Sequence, residues 1–191
     1  MGREFELKYR ASASVLGALR EEFGEFTTIE METTYYDTPS RTLSALRYTL
    51  RRRFENGISI CTLKTPGTDG VRGEWETQCE SIVDAIPMLC KLGCPDQLPA
   101  LCQEGLIPLC GARFTRKIQL WELPGCTAEL ALDTGILFGG GNEIPLCEIE
   151  LELKSGSREA LDVFAKNFAA KYGLQTEERS KFARALALCE E

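Results

Sequence analysis

Polar and apolar positions alternate at period two in several stretches of this chain, and each reads as a strand with one charged and one apolar face. The first is Glu4-Phe5-Glu6-Leu7-Lys8-Tyr9. A helix is predicted next: Ser12 or Ser14 caps it, Val15, Leu16, Leu19 and Phe23 recur at helical spacing, and Gly24 stops it. β-Branched and aromatic residues from Thr27 to Tyr36 predict a second strand, ended by the turn Asp37-Thr38-Pro39-Ser40. Leu43 to Phe54 and Ile58 to Thr65, joined through Asn56-Gly57, predict a hairpin. After a turn from Pro66 to Gly70, alternation returns from Gly73 to Glu80.

The pattern then changes. From about Ser81 to Leu109, Leu, Ile and Cys are punctuated by Pro87, Pro95, Pro99 and Pro108, which predicts short helices and loops rather than sheet. Strand periodicity resumes over Ala112 to Leu123, Thr127 to Asp133 and Leu146 to Lys154, with glycines in the turns. Two helices close the chain. Ser157 caps Arg158 to Tyr172 before Gly173, and a second helix starting at Thr176 carries Phe182, Leu186 and Cys189. No internal repeat or linker interrupts the chain, so the expectation is a single α+β domain of about eight strands over residues 1–191, with a helical insert at about 81–110.

Composition narrows the chemistry. The 191 residues hold 22 Lys+Arg against 29 Asp+Glu, a formal charge of −7, and no His. Histidine triads, His-ligated zinc and imidazole acid/base pairs are thereby excluded. The nine Cys are odd in number and contain no CxxC pair, so they read as small buried hydrophobes in a reducing cytoplasmic protein rather than as disulfides or a zinc site. No apolar run reaches the roughly 18 to 20 residues of a membrane span. Five arginines, Arg41, Arg47, Arg51, Arg52 and Arg53, fall in a short acid-free segment, but the acidic balance argues against a nucleic-acid partner.

The polar faces of the strands carry the candidate chemistry. Glu4, Glu6 and Lys8 leave one face of the first strand, and Glu148, Glu150 and Glu152 leave one face of a late strand, backed by Ile149, Leu151 and Leu153. The hairpin adds Arg51 and Arg53 with Lys64 across from them, and the following strands add Glu74, Glu76, Arg116 and Asp133. A solvated face mixes Ser, Thr, Gln and Lys, whereas here acids and bases are sorted into rows. Carboxylate rows suit a hard divalent cation held by oxygen ligands, and Arg/Lys rows suit phosphate oxygens. Together they describe a site for a metal-bound polyphosphate.

Glu4-Phe5-Glu6-Leu7-Lys8 has the ExExK form that opens the CYTH superfamily, the triphosphate tunnel metalloenzymes. It is followed in order by Tyr35-Tyr36-Asp37-Thr38-Pro39, Leu50-Arg51-Arg52-Arg53, Thr62-Leu63-Lys64, Gly73-Glu74-Trp75-Glu76, the run Glu129 to Gly135, the run Cys147 to Leu153, and Ser180-Lys181-Phe182-Ala183-Arg184. Over nearly its whole length the chain resembles that family, and most closely its bacterial inorganic triphosphatases. The resemblance implies an eight-stranded antiparallel closed barrel, a tunnel with helices outside and a C-terminal plug helix. It implies that Glu4, Glu6, Glu148, Glu150 and Glu152 hold Mg²⁺ or Mn²⁺, that Lys8, Arg51, Arg53, Lys64, Arg116 and Lys181 grip the phosphates, and that Glu74, Glu76, Glu129 and Asp133 support them. Glu4, Glu6, Lys8 and Glu150 are the expected catalytic groups. Arg52 has outward parity. Arg116 shares its parity with Phe114, Ile118 and Leu120, so Lys117 is the alternative inward residue. The implied activity is hydrolysis of tripolyphosphate to pyrophosphate and phosphate. Thiamine or nucleoside triphosphatase, class IV adenylate cyclase and a non-enzymatic polyphosphate-binding module are the rivals. Expected partners are limited to tripolyphosphate or an organic triphosphate, without nucleic acid or membrane, in a monomer or homodimer.

Overall fold

The structure is a computed structural model that describes residues 5–66 and 73–189. Glu4 and most of the turn expected after Pro66 lie outside the described residues. In chain order the elements are β1 Glu6–Arg10, α1 Ala13–Phe23, β2 Thr27–Asp37, α2 Thr42–Ala45, β3 Thr49–Glu55, β4 Ile58–Thr65, β5 Gly73–Gln78, α3 Ile82–Lys91, α4 Leu98–Leu101, β6 Ile107–Leu123, β7 Cys126–Gly139, β8 Asn142–Gly156, α5 Arg158–Tyr172, β9 Gln175–Thr176 and α6 Lys181–Ala187.

One antiparallel sheet contains every strand, in the order β5-β4-β3-β2-β6-β7-β8-β1-β9. The expected eight-stranded closed barrel is therefore corrected in two respects. A ninth strand, β9, adds to the far side of β1, and no hydrogen-bonded ladder joins β5 to β9 among the described residues. Turn chemistry sets the hairpin of β3 and β4: Asn56 (φ 48°) and Gly57 (φ 85°) both sit at positive φ, as a two-residue turn between twisted strands demands. Glu55 and Ile58 flank it in register.

Each longer helix starts at a serine whose hydroxyl accepts an otherwise unpaired backbone N–H: Ser12 for α1, Ser81 for α3, Ser157 for α5 and Ser180 for α6. The last cap corrects the expected start at Thr176. That residue pairs with Tyr9 in β9 instead, and the helix begins only after a strap through Glu177 and Arg179. The predicted insert is helical only from Ile82 to Leu101, and sheet resumes at Ile107.

The two faces of the sheet are packed differently. On one face, α1 and α5 cover β1, β7 and β8 through Leu16, Leu19, Leu130, Ile149, Leu151, Leu161 and Phe168. At the other end of that face, α3 and α4 cover β3 and β4 through Leu50, Cys61, Leu63, Ile86, Leu89 and Leu98. Helix α6 alone takes the opposite, charged face. It seats Ala185 and Leu188 on an apolar patch made by Tyr35, Ala112, Leu137 and Leu146, with the Phe182 ring 4.8 Å from that of Tyr35. Its end comes so close to the β7–β8 turn that a Cβ on Gly139 would stand 2.5 Å from the Ala185 carbonyl oxygen, and one on Gly140 2.6 Å from that of Leu188. Glycine is the residue that permits this approach.

Candidate active site

Register decides which side chains share the covered face. Across neighbouring strands Glu74 stands opposite Lys64, Glu76 opposite Thr62, and Thr62 opposite Arg51. Arg51 stands opposite Tyr35, Arg53 opposite Thr33, and Thr33 opposite Ala112. Arg116 then pairs with Asp133, Asp133 with Glu148, Glu129 with Glu152, Glu152 with Glu6, and Glu150 with Lys8. Because side chains alternate with period two, every candidate residue on a described strand leaves this one face. Lys117 leaves the other, where its Nζ donates to Thr28 Oγ1 at 3.0 Å. Arg116 is thus the inward residue. Arg52 also points away, with its guanidinium 4.8 Å from the Phe54 ring and donating to the Glu80 carbonyl.

At the centre lies a buried ion network. Arg116 makes a bidentate contact with Asp133 at 2.8 and 2.7 Å and reaches Glu150 at 2.5 Å. From α6, Lys181 Nζ touches Asp133 at 2.9 Å, Glu150 at 2.7 Å and also Glu148. Arg184, one turn later, pairs with Glu148. Asp133 and Glu148 are completely buried, a position that carboxylates hold only when paired. Burial alone would raise Glu150, but the charges of Lys181 and Arg116 hold it well below the ordinary carboxylate range. Burial dominates at Glu148 and raises it, with Lys181 and Arg184 opposing. Burial opposes charge on Lys181 too, yet Glu150, Asp133 and Glu148 raise it above an ordinary lysine.

To one side stand the bases of β3 and β4. Arg53 pairs with Glu55, Lys64 with Glu74 at 3.0 Å, and Thr62 donates to Glu76 at 3.1 Å. The Nε atoms of Arg51 and Arg53 are buried and find no acceptor among the described residues. Such donors are costly to leave unpaired, and they suit an oxyanion. Burial and the nearby Arg51 charge lower Arg53, so an arriving anion relieves a like-charge contact.

On the other side an acid row crosses β1, β8 and β7 through Glu6, Glu152 and Glu129. Its cations are few. Lys8 lies 3.7 Å from Glu6, while Lys154 serves Glu152 at 2.8 Å and Glu129 at 3.5 Å. Burial and the Glu150 charge raise Glu6, outweighing Lys8. Carboxylate oxygens of Asp133, Glu148 and Glu150 also lie within 4.8 Å of one another. The donor set is all hard oxygen and partly under-neutralised, so these residues fit a divalent cation. Glu148 and Glu150 each have both carboxylate oxygens paired with cations, Lys181 and Arg184 on the first and Lys181 and Arg116 on the second, which leaves Glu6 the least neutralised of the expected ligands that the structure describes.

Four members of the network lie outside the sequence-based set. Arg10 and Lys154 extend the period-two rows of Glu6-Lys8 and Glu148-Glu150-Glu152 by one step, and that periodicity is a sufficient signal for both. Arg184 and Glu177 lie on α6 and its strap, where no strand alternation marks them. Arg184 is nonetheless part of the Ser180 to Arg184 segment.

Fold and site define an α+β protein built on one large antiparallel sheet, with acids and bases sorted on the face that the last helix covers. The chain belongs to the CYTH domain family, whose model matches residues 2–186. It is 30% identical over 195 residues to the inorganic triphosphatase of Haemophilus influenzae, an alignment covering 98% of this chain and 55% of that protein. It therefore spans about half the length of that relative. Among solved structures, a Hippeastrum protein described as having a dominant triphosphatase activity matches with a TM-score of 0.67 at 20% identity, over 97% of this chain and 96% of its own. A Pyrococcus horikoshii protein matches with a TM-score of 0.59 at 24% identity, over 99% and 100% of the two chains. Both likenesses show the shared fold.

Proposed function

We propose that the protein is a metal-dependent triphosphatase that hydrolyses tripolyphosphate to pyrophosphate and phosphate, with the charged face forming the inside of a tunnel. The observation that carries this reading is the pair of buried, acceptorless Nε donors of Arg51 and Arg53 on the same face as the under-neutralised carboxylates of β1 and β8. Bases wait for an anion and acids for a cation, and a metal-bound polyphosphate supplies both. The name of the Haemophilus relative agrees with it.

In this reading Arg51, Arg53, Lys64, Lys8 and Arg116 bind the phosphate chain, and Lys181 reaches it from the α6 end. Arg supplies forked contacts to paired oxygens and Lys a point charge. Glu6, Glu148, Glu150 and Glu152, with Glu4, hold Mg²⁺ or Mn²⁺. Glu74, Glu76, Glu129 and Asp133 orient the cations. When bound, the metal supplies Lewis-acid polarisation of phosphate oxygens and acidification of water. Most of the remaining work is positioning and neutralisation of the charge on the transferred phosphoryl group. In the metal-free protein burial and Glu150 raise Glu6, whereas Lys181 and Arg116 hold Glu150 down, so protons compete with the cation more strongly at Glu6 than at Glu150.

An inorganic substrate is favoured by the aromatic groups of this face. Among the described residues they are Tyr35, Phe114 and Phe182. Phe182 packs on Tyr35, and Phe114 has the cations of Arg116 at 5.7 Å and Lys181 at 5.4 Å. None is left to stack a base or a thiazolium. The test is phosphate release from tripolyphosphate, ATP, thiamine triphosphate and pyrophosphate, each with Mg²⁺, Mn²⁺ or EDTA. Tripolyphosphate should give the highest kcat/KM, with activity lost in EDTA. Turnover of ATP exceeding that of tripolyphosphate, or turnover that survives EDTA, would refute the assignment.

A further inference from the structure

The strap between α5 and α6 carries a carboxylate that the proposed chemistry does not use. Glu177 is only 3% exposed, although it sits in a short irregular segment. Its backbone N–H and both carboxylate oxygens are engaged. Its backbone N–H donates to the Lys8 carbonyl oxygen at 2.9 Å. One carboxylate oxygen accepts from Arg10 Nε at 2.6 Å and lies 3.7 Å from Arg184 Nη1. The other accepts from the Arg179 backbone N–H at 3.0 Å, with the Arg179 side chain at 3.6 Å. Burial alone would raise this carboxyl, but Arg10, Arg179 and Arg184 together hold it down at about 2.

Two features make this more than a loop anchor. Glu177 is fixed to β1 at the backbone of Lys8 and the side chain of Arg10, both on the strand that carries Glu6. It also shares Arg184 with the active network, since that guanidinium reaches Glu177 through Nη1 and Glu148 through Nη2. Glu148 in turn touches Lys181. A continuous chain of charged contacts therefore runs from β1 through Glu177, Arg184 and Glu148 to the ammonium on α6. The Nε of Arg184 is buried with no partner, so its two Nη groups alone fix its orientation.

We propose that Glu177 is a positioning residue that holds Lys181 at the substrate by fixing Arg184, and through it Glu148, to strand β1. The proposal rests on the reading that Lys181 contacts the phosphate chain. With Glu177 in place, α6 and β1 are registered to each other by charge as well as by packing, so that the cation from the helix and the carboxylates from the strand meet one substrate. Without it, Arg184 keeps only Glu148 as a charged partner, and the start of α6, which carries Lys181, loses its charged tie to β1.

The test is a double-mutant cycle on steady-state tripolyphosphate hydrolysis by the full chain, using Glu177→Gln, Lys181→Ala and the pair. Glu177→Gln should raise KM about tenfold and change kcat less than threefold, and adding it to Lys181→Ala should raise KM no further. A merely structural role would instead lower the active fraction, so that apparent kcat falls and KM stays. That outcome overturns the proposal, as does an additive double variant. If Glu177→Gln does not fold by circular dichroism, Arg184→Lys replaces it, because an ammonium cannot span Glu177 and Glu148 together. The same KM rise and the same non-additivity are then required. The underlying reading fails separately, by an inactive wild type or by an unchanged KM in Lys181→Ala alone.

Discussion

Replacing Lys181 by methionine keeps most of the volume of the side chain and deletes its charge, which isolates the electrostatic role of the plug helix. In the wild type Asp133, Glu148 and Glu150 are matched by Arg116, Lys181 and Arg184. Lys181→Met leaves three carboxylates to two guanidinium groups, and the side chain is only 12% exposed, so water screens the imbalance poorly. Removing one partner of a buried pair costs about 3–5 kcal/mol. Taking the low end, because Arg116 still holds two of the three acids, the variant should lose about 3 kcal/mol, or roughly 6–12 °C in Tm for a chain of this size. The loss should depend on pH. Lys181 opposes the burial that raises Glu148, so its removal raises that carboxyl further above the unfolded value of about 4.3. As pH falls toward that value the folded variant takes up a proton that its unfolded state does not, and its stability rises relative to wild type. Urea denaturation of both proteins in EDTA, at pH 7.5 and pH 5, measures the deficit twice. It should shrink by about half or more at the lower pH. A deficit below about 1 kcal/mol at pH 7.5, which is the range of exposed pairs, or one that grows on acidification, would refute the buried network.

Three other substitutions test the acid row and the parity of the face. Glu6→Gln should raise the Mg²⁺ concentration needed for half-maximal tripolyphosphate hydrolysis at least tenfold without lowering Tm; in the wild type, metal binding should weaken as pH falls through a Glu6 range raised by burial and Glu150. An unchanged Mg²⁺ requirement would remove Glu6 from the metal site. Arg52→Ala should leave kcat/KM within about twofold of wild type and cost under about 1 kcal/mol, whereas Arg51→Ala should lower kcat/KM by at least tenfold; equal losses would show that the inward parity is misjudged.

Parity was the most readable property of the sequence. The rows Glu6-Lys8, Arg51-Arg53 and Glu148-Glu150-Glu152 put their acids and bases on one face before any pairing was known, and the register confirms it. At Arg116 parity left a choice, because apolar Phe114 and Ile118 flank it on the same face. The structure explains the first: Phe114 lies in the apolar patch under α6. Strand length was harder to read. Pro108, Gly135 and Pro145 look like breakers, yet all three stand inside strands, because a long hairpin ladder continues past positions whose residues would not start one. At Gly135 the lack of a side chain is required, since a Cβ there would lie 2.1 Å from the Arg113 carbonyl oxygen. Glu177 and Arg184 were hidden for a different reason. Their importance comes from contacts between α6, its strap and β1, which are long-range and leave no periodic trace.

The place of β1 in the sheet has a consequence for how the molecule comes into being. This strand pairs with β8 on one side and β9 on the other, so during synthesis it precedes every other strand of the sheet and waits longest for its neighbours. The meander β2-β3-β4-β5 joins strands adjacent or nearly so in sequence and can close early, bringing Arg51, Arg53 and Lys64 together. Within the meander Glu55 and Glu74 pair with Arg53 and Lys64, but the carboxylates of the central network arrive only with β7 and β8, and Glu6 docks only after those strands exist. Contacts of such long separation fold slowly, and an unfinished sheet exposes edges that favour misassembly. For the nascent chain the hazard is therefore an open strand edge beside Arg51 and Arg53, whose Nε donors the meander's own acids leave without an acceptor and which cellular polyanions can reach before the sheet is complete.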